Sequence, residues 1–207
     1  MPVSFLAAQL RRMGVTSAIP LMAGAAVALV GKAAAAAWSP VQAMALSFGL
    51  QQVFIICAGV SAAVAVTGDP LVELHEATPA TFRRVQLVRA AIATASGVVG
   101  AVLMFAPLHL AGVWMHDKGW ITLLSPAGAV IVMAAAAFVA TAFTGAVSTT
   151  AIAVVTTWVF LAMLWDPYVE PLLFQRGVPV LAAGALAAFA WRRLGDAERN
   201  VSRAVTA

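Results

Sequence analysis

The sequence predicts an all-α membrane protein, a polytopic bundle of about six transmembrane helices. The first observation is composition, because 63% of the 207 residues are apolar, only 10% are charged and the mean hydropathy is +0.97. Soluble domains carry about 25% charged residues. The second is that the apolar residues form runs long enough to cross a bilayer and do not alternate with polar ones, as they would in a barrel. Since hydrocarbon offers no water to the backbone, such runs are expected to be helices.

Six apolar segments are the predicted spans of a single transmembrane domain that takes up residues 1–207. They lie at about 16–37, 41–66, 85–106, 125–145, 147–165 and 177–194. Each is close to the ~20 residues that a bilayer core requires. The chain turns tightly after the first and fourth spans. The longer connections are too short to hold a soluble domain; they lie at 67–84, 107–124 and 166–176.

The basic residues predict the orientation. With both termini in the cytoplasm, nine arginines lie inside: Arg11, Arg12, Arg83, Arg84, Arg89, Arg192, Arg193, Arg199 and Arg203. The outside then holds Lys32, Lys118 and Arg176. This asymmetry follows the positive-inside rule and predicts a protein of the cytoplasmic membrane. The net charge of +4 is then explained by arginines at anionic lipid headgroups, so it does not predict nucleic-acid binding.

Residues 2–13 predict a short helix that lies on the cytoplasmic surface before the first span. Its apolar residues approximate one helical face: Phe5, Leu6, Leu10 and Met13. Gln9, Arg11 and Arg12 fall largely elsewhere on the helix. This pattern is typical of an interfacial helix. The alternative is a tail whose arginines only set the topology.

The connection between the second and third spans predicts a second short helix, over about 69–77. Asp69 is placed to cap it, with Pro70 at its first position. Glu73 and Glu76 fall in its early turns, where the helix dipole favours negative charge. Pro79 ends it.

Leu71 and Leu74 give this predicted helix an apolar side. A short helix with one acidic and one apolar side can dock in a groove of a soluble partner. It can also be a connector that lies on the headgroups, although an acidic face suits an anionic leaflet poorly. The residues alone leave both interpretations open.

The stretch Gly68-Asp69-Pro70-Leu71-Val72-Glu73-Leu74-His75-Glu76-Ala77-Thr78-Pro79 is followed by Arg83, Arg84 and Arg89 at the start of the third span. This pattern resembles the corresponding loop of ABC-2-type transporter permeases. In that family a short coupling helix after the second span contacts the ATPase subunit. The N-terminal interfacial helix and the six spans fit the same layout, and the segment 166–176 could match a re-entrant segment often found there.

The resemblance implies the membrane subunit of an ATP-driven ABC exporter, which forms the translocation path and pairs with a second permease copy or a homologous permease. It also implies a contact between a cytoplasmic ATPase and the coupling helix, through Asp69, Leu71, Glu73, Leu74 and Glu76. ATP and Mg²⁺ would be held by that partner. This chain has no phosphate-binding loop, since Gly31-Lys32 lacks the upstream glycine spacing and a following hydroxyl residue.

No catalytic, cofactor or metal site is predicted in this chain. The serines within spans have no histidine partner within a span, because His75 lies in the cytoplasmic loop and His109 and His116 lie in the outer one. His109, His116 and Asp117 could serve an enzyme that acts on lipid headgroups, but such residues are more often solvated loop side chains. The alternative function is therefore a membrane scaffold without transport, or a small integral membrane enzyme acting on lipids.

The interior of the spans is almost free of ionisable residues, and Lys32 is close enough to the outer end to reach the interface. This argues against a proton-coupled carrier or a cation channel. Gln51 and Gln52 are the most notable polar residues within a span. They either hydrogen-bond between helices or line a translocation path.

Overall fold

The computed structural model describes residues 3–67 and 82–195. Within them the chain forms seven α-helices and no strand: α1 Val3–Arg12, α2 Gly14–Ala37, α3 Pro40–Val66, α4 Phe82–Leu110, α5 Leu124–Thr144, α6 Val147–Val159 and α7 Leu172–Arg193. A 3₁₀ turn at Trp120–Leu123 leads into α5, and α6 continues as a π-helical segment over Phe160–Trp165. Six of these segments are long and apolar enough to cross a membrane. The predicted all-α, polytopic fold class is confirmed.

Each predicted span falls on one of the six long segments, and the differences lie at their ends. α4 begins three residues before the predicted start of its span and continues to Leu110. α7 begins at Leu172, five residues before the predicted 177. The predicted N-terminal helix is α1, whereas the predicted coupling helix at 69–77 lies outside the described residues.

The tight connections have clear local causes. Ser39 caps α3: its hydroxyl accepts from the backbone N–H of Gln42, and the Gln42 side chain accepts from the backbone N–H of Ser39. Gln42, a polar residue of the predicted second span, is therefore part of a cap. The turn from α5 to α6 requires a left-handed residue, and Gly145 adopts a φ of 70° there.

The bundle has two chemically different ends. One end of the bundle is formed by α1, by the starts of α2, α4 and α6, and by the last turns of α3, α5 and α7, as chain direction and contacts show. The Ser61 hydroxyl donates to the Thr16 carbonyl (2.6 Å), and Arg83 lies over the Trp191 ring, 4.8 Å from its centroid. We call this the arginine end, because it holds Arg11, Arg12, Arg83, Arg84, Arg89, Arg192 and Arg193. The opposite end holds the basic residues Lys32, Lys118 and Arg176 and the acidic residues Asp117, Asp166 and Glu170.

Small residues bring α2 and α4 into backbone contact. A Cβ added to Gly24 would lie 2.2 Å from the Gly100 carbonyl oxygen, and one added to Gly100 would lie 2.5 Å from the Pro20 carbonyl oxygen. Gly97 faces α5, where a Cβ would lie 2.5 Å from Val130. These glycines therefore pack spans against each other within this chain.

Candidate functional site

The connection that would carry the coupling helix leaves and re-enters the bundle at the arginine end. Its residues 68–81, and with them Asp69, Leu71, Glu73, Leu74 and Glu76, lie outside the described residues. The residues at both ends of this connection, Thr67 and Phe82, make defined contacts with the bundle. The backbone N–H and the hydroxyl of Thr67 both donate to the Ala63 carbonyl (3.0 and 2.8 Å). Phe82 is buried in a cluster that joins α4, α5 and α7; its other buried members are Phe138, Ala142, Ala190 and Leu194.

A buried polar contact ties α1 to α4. Arg89 is only 5% exposed, and its Nε donates to Oε1 of Gln9 at 3.2 Å. Gln9 is buried, whereas Leu10 is 45% exposed. Two expectations are thereby corrected: Arg89 does not face the headgroups, and Gln9 faces the bundle. The physical reason is that a guanidinium enclosed by helices needs oxygen acceptors, and Gln9 supplies one.

The glutamine pair lies on α3 inside the bundle. Gln51 is buried, and Gln52 is half-buried with its Oε1 accepting from the indole N–H of Trp158 at 3.1 Å. This hydrogen bond of Gln52 links α3 to α6, so of the two roles considered from the sequence Gln52 has the one of hydrogen-bonding between helices. A role of either glutamine in a translocation path stays a prediction. Another buried polar pair, Thr141 and Thr150 at 3.1 Å, links α5 to α6.

The opposite end contains a buried ion pair that sequence reasoning missed. Arg176 is 5% exposed and sits in the second turn of α7. Its Nη2 donates to Oδ2 of Asp166 at 2.6 Å, and its Nη1 to Oδ1 of the same carboxylate. Its Nε donates to the Ser125 carbonyl at 2.9 Å, and Nη2 also reaches the Ser125 hydroxyl at 3.3 Å. The guanidinium thus joins α5, the chain segment after α6, and α7.

The groups around this ion pair complete the cluster. The indole N–H of Trp165 donates to the Gln175 carbonyl (2.7 Å), and the Gln175 amide donates to the Asp166 carbonyl (2.8 Å). Gly128 leaves room for the Arg176 methylenes, since a Cβ there would lie 3.1 Å from two of them. The sequence signal that could have found this ion pair is an acidic residue, Asp166, and a basic residue, Arg176, at the two ends of the short connection between the fifth and sixth spans.

Two of the three outer-loop residues that we considered for lipid chemistry come together. His109 Nδ1 lies 2.5 Å from Oδ2 of Asp117, and the His109 ring stacks on Phe105 and meets Trp120 edge-on. His116 is exposed, with a φ of 55°. Across residues 3–67 and 82–195 no group of three or more His, Cys, Asp or Glu side chains could hold a metal ion.

Comparison with known proteins finds no matching family model, no similar curated protein and no similar solved structure. The six apolar helices identify an integral membrane protein.

Proposed function

We propose that this chain is the membrane subunit of an ATP-driven exporter of the ABC-2 type, with both termini in the cytoplasm. It would act with a second permease copy or a homologous permease and with cytoplasmic ATPase subunits that hold ATP and Mg²⁺. The observation that carries the proposal is the connection at 67–84. Its sequence resembles the coupling loop of such permeases, and its flanks Thr67 and Phe82 lie at the arginine end. The positive-inside rule assigns that end to the cytoplasm.

Coupling would act through α4. The connection leads directly into this helix, and the buried Phe82 prevents the first turn from fraying independently. α4 is in backbone contact with α2 at Gly24 and Gly100, and it holds α1 through Arg89 and Gln9. A displacement of the connection therefore moves α4, α2 and α1 together, because close-packed interiors transmit displacement.

The other half of the bundle would resist that displacement. Arg176, Asp166 and Ser125 hold α5, α6 and α7 together at the opposite end. A tilt of α4 and α2 against these helices is the movement that would open and close a path in response to ATP. In the part of the chain that the structure describes, the buried charged side chains are Arg89 and Arg176, each within eight residues of a helix start. An interior with so few charges suits substrates of amphipathic, lipid-like or peptide character.

The test is affinity purification of the tagged protein from its native membrane in a mild detergent, followed by identification of the co-purifying chains. We expect an ATPase with a phosphate-binding loop in stoichiometric amount, encoded close to this reading frame. A matched purification of an unrelated six-span protein from the same membrane controls for abundant ATPases. Recovery of the intact protein without any such ATPase contradicts the proposal and favours a scaffold or a small membrane enzyme.

A further inference from the structure

A lateral groove runs between α4 and α7, with α5 as its floor. Its volume is about 890 Å³, and its walls are formed by residues within 87–99 of α4, 131–138 of α5 and 180–191 of α7. The walls are apolar and mostly small. The one hydroxyl, of Thr94, donates to the Ala90 carbonyl at 2.7 Å. The Trp191 indole at one end is the other polar side chain of the lining, so the groove is almost wholly apolar and suits hydrocarbon.

The groove occupies half of the membrane thickness. Its wall on α4 runs from Leu87 to Val99, which is about 18 Å at 1.5 Å per residue, and its wall on α7, from Val180 to Trp191, is of similar length. One leaflet of a bilayer core is about 15 Å deep. On all three helices most of these residues lie in the half nearest the arginine end, and the farthest of them, Val99, Ile131 and Val180, lie about three residues past the middle. A partner helix would need a surface across both leaflets, whereas an acyl chain of a single leaflet needs only this length.

The end of the groove at the membrane surface is basic. The Arg83 guanidinium lies over the Trp191 ring, which forms part of the groove wall. Arg84 is exposed, and it precedes Leu87 and Ala91 by three and seven residues, so it lies on the groove side of α4. Two guanidinium groups at the mouth of a hydrocarbon groove complement a phosphate-bearing headgroup.

We propose that this groove is a binding site for an anionic phospholipid of the leaflet at the arginine end. The acyl chain lies along α5 between α4 and α7, and the phosphate binds Arg83 and Arg84. The site does not depend on the ATPase partner. It would fill the gap between α4 and α7 with lipid, so that α4 can move without exposing an empty cavity.

The first test measures lipid binding to the delipidated protein by native mass spectrometry, with phosphatidylglycerol against phosphatidylcholine of identical chains. A basic residue near the surface contributes about a fivefold preference for anionic lipid, so two together predict a preference of roughly thirtyfold. Arg83→Gln with Arg84→Gln should abolish this preference. Arg11→Gln with Arg12→Gln removes the same charge from α1 at the same end, outside the groove walls, and should preserve it. Equal binding of the two lipids by the unmodified protein overturns the proposal.

The second test fills the groove. Gly184 lies in the groove wall, and a Cβ there would meet nothing within 4 Å, so Gly184→Leu should occupy the space and reduce binding of both lipids at least tenfold. Gly49, which is exposed on α3 with the same free space, provides the control Gly49→Leu. If Gly184→Leu fails to fold, Ala188→Leu takes its place. Unchanged lipid binding, or a changed oligomeric state with no lipid bound in the unmodified protein, overturns the proposal.

Discussion

Removal of the Asp166 carboxylate should destabilise the opposite end of the bundle strongly. Arg176 is 5% exposed and makes two of its contacts with Asp166 and two with Ser125. Asp166→Ala leaves a buried guanidinium with Ser125 alone. Breaking a buried pair in this way costs about 3–5 kcal/mol. The side chain of Asp166 is 22% exposed, so water can replace part of the lost interaction and we expect about 3 kcal/mol, roughly a hundredfold change in the unfolding equilibrium.

The assay is reversible unfolding in mixed micelles, with the free energy of unfolding compared among Asp166→Ala, Arg176→Met and the double variant. Arg176→Met should cost less than Asp166→Ala, because a partly exposed carboxylate can be hydrated. The double variant should recover most of the loss, since an apolar replacement of a buried pair is often neutral. A cost below 1 kcal/mol for Asp166→Ala, or strictly additive effects in the double variant, would refute the assigned role of the ion pair.

Three further predictions concern packing, topology and catalysis. Gly24→Ala places a Cβ 2.2 Å from the Gly100 carbonyl oxygen and should lower the free energy of unfolding by more than about 1 kcal/mol, seen as a lower melting temperature. Gly49→Ala, whose added Cβ would meet nothing within 4 Å, should not lower it. In a background without the native cysteine, His75→Cys should resist an impermeant thiol reagent added outside intact cells and Lys118→Cys should react; the reverse pattern contradicts the orientation. The isolated chain should hydrolyse no ATP, and turnover that survives removal of contaminating ATPases contradicts the permease proposal.

The spans could be predicted because hydropathy reports the solvent that each segment meets. The ends of the spans could not, because they depend on partners that are distant in sequence. Arg176 is read from sequence as a loop residue, since an unpaired charge is costly in a helix that enters the bilayer. The structure pairs it with Asp166 and Ser125, and α7 therefore begins earlier than predicted, at Leu172.

The polar contacts inside the bundle could not be predicted for the same reason, because they also join residues that are distant in sequence. The helical pattern of α1 places Gln9 away from the apolar face, yet Gln9 is buried because Arg89 of α4 needs an acceptor. The bond of Gln52 to Trp158 was one of two alternatives, and nothing in either residue's own neighbourhood selects it.

The most direct test of the central proposal is co-purification of the ATPase with a variant of the predicted coupling helix. Leu74→Asp places a charge on the apolar side of that helix, where a docked side chain would be desolvated. Leu110→Asp is the matched control, because Leu110 is 76% exposed at the opposite end of the bundle. Both variants should insert into the membrane, since both positions lie at or beyond the ends of the spans. We predict that Leu74→Asp releases the ATPase and abolishes its stimulation while Leu110→Asp retains both; retention of the partner with full stimulation by Leu74→Asp would contradict the proposed coupling.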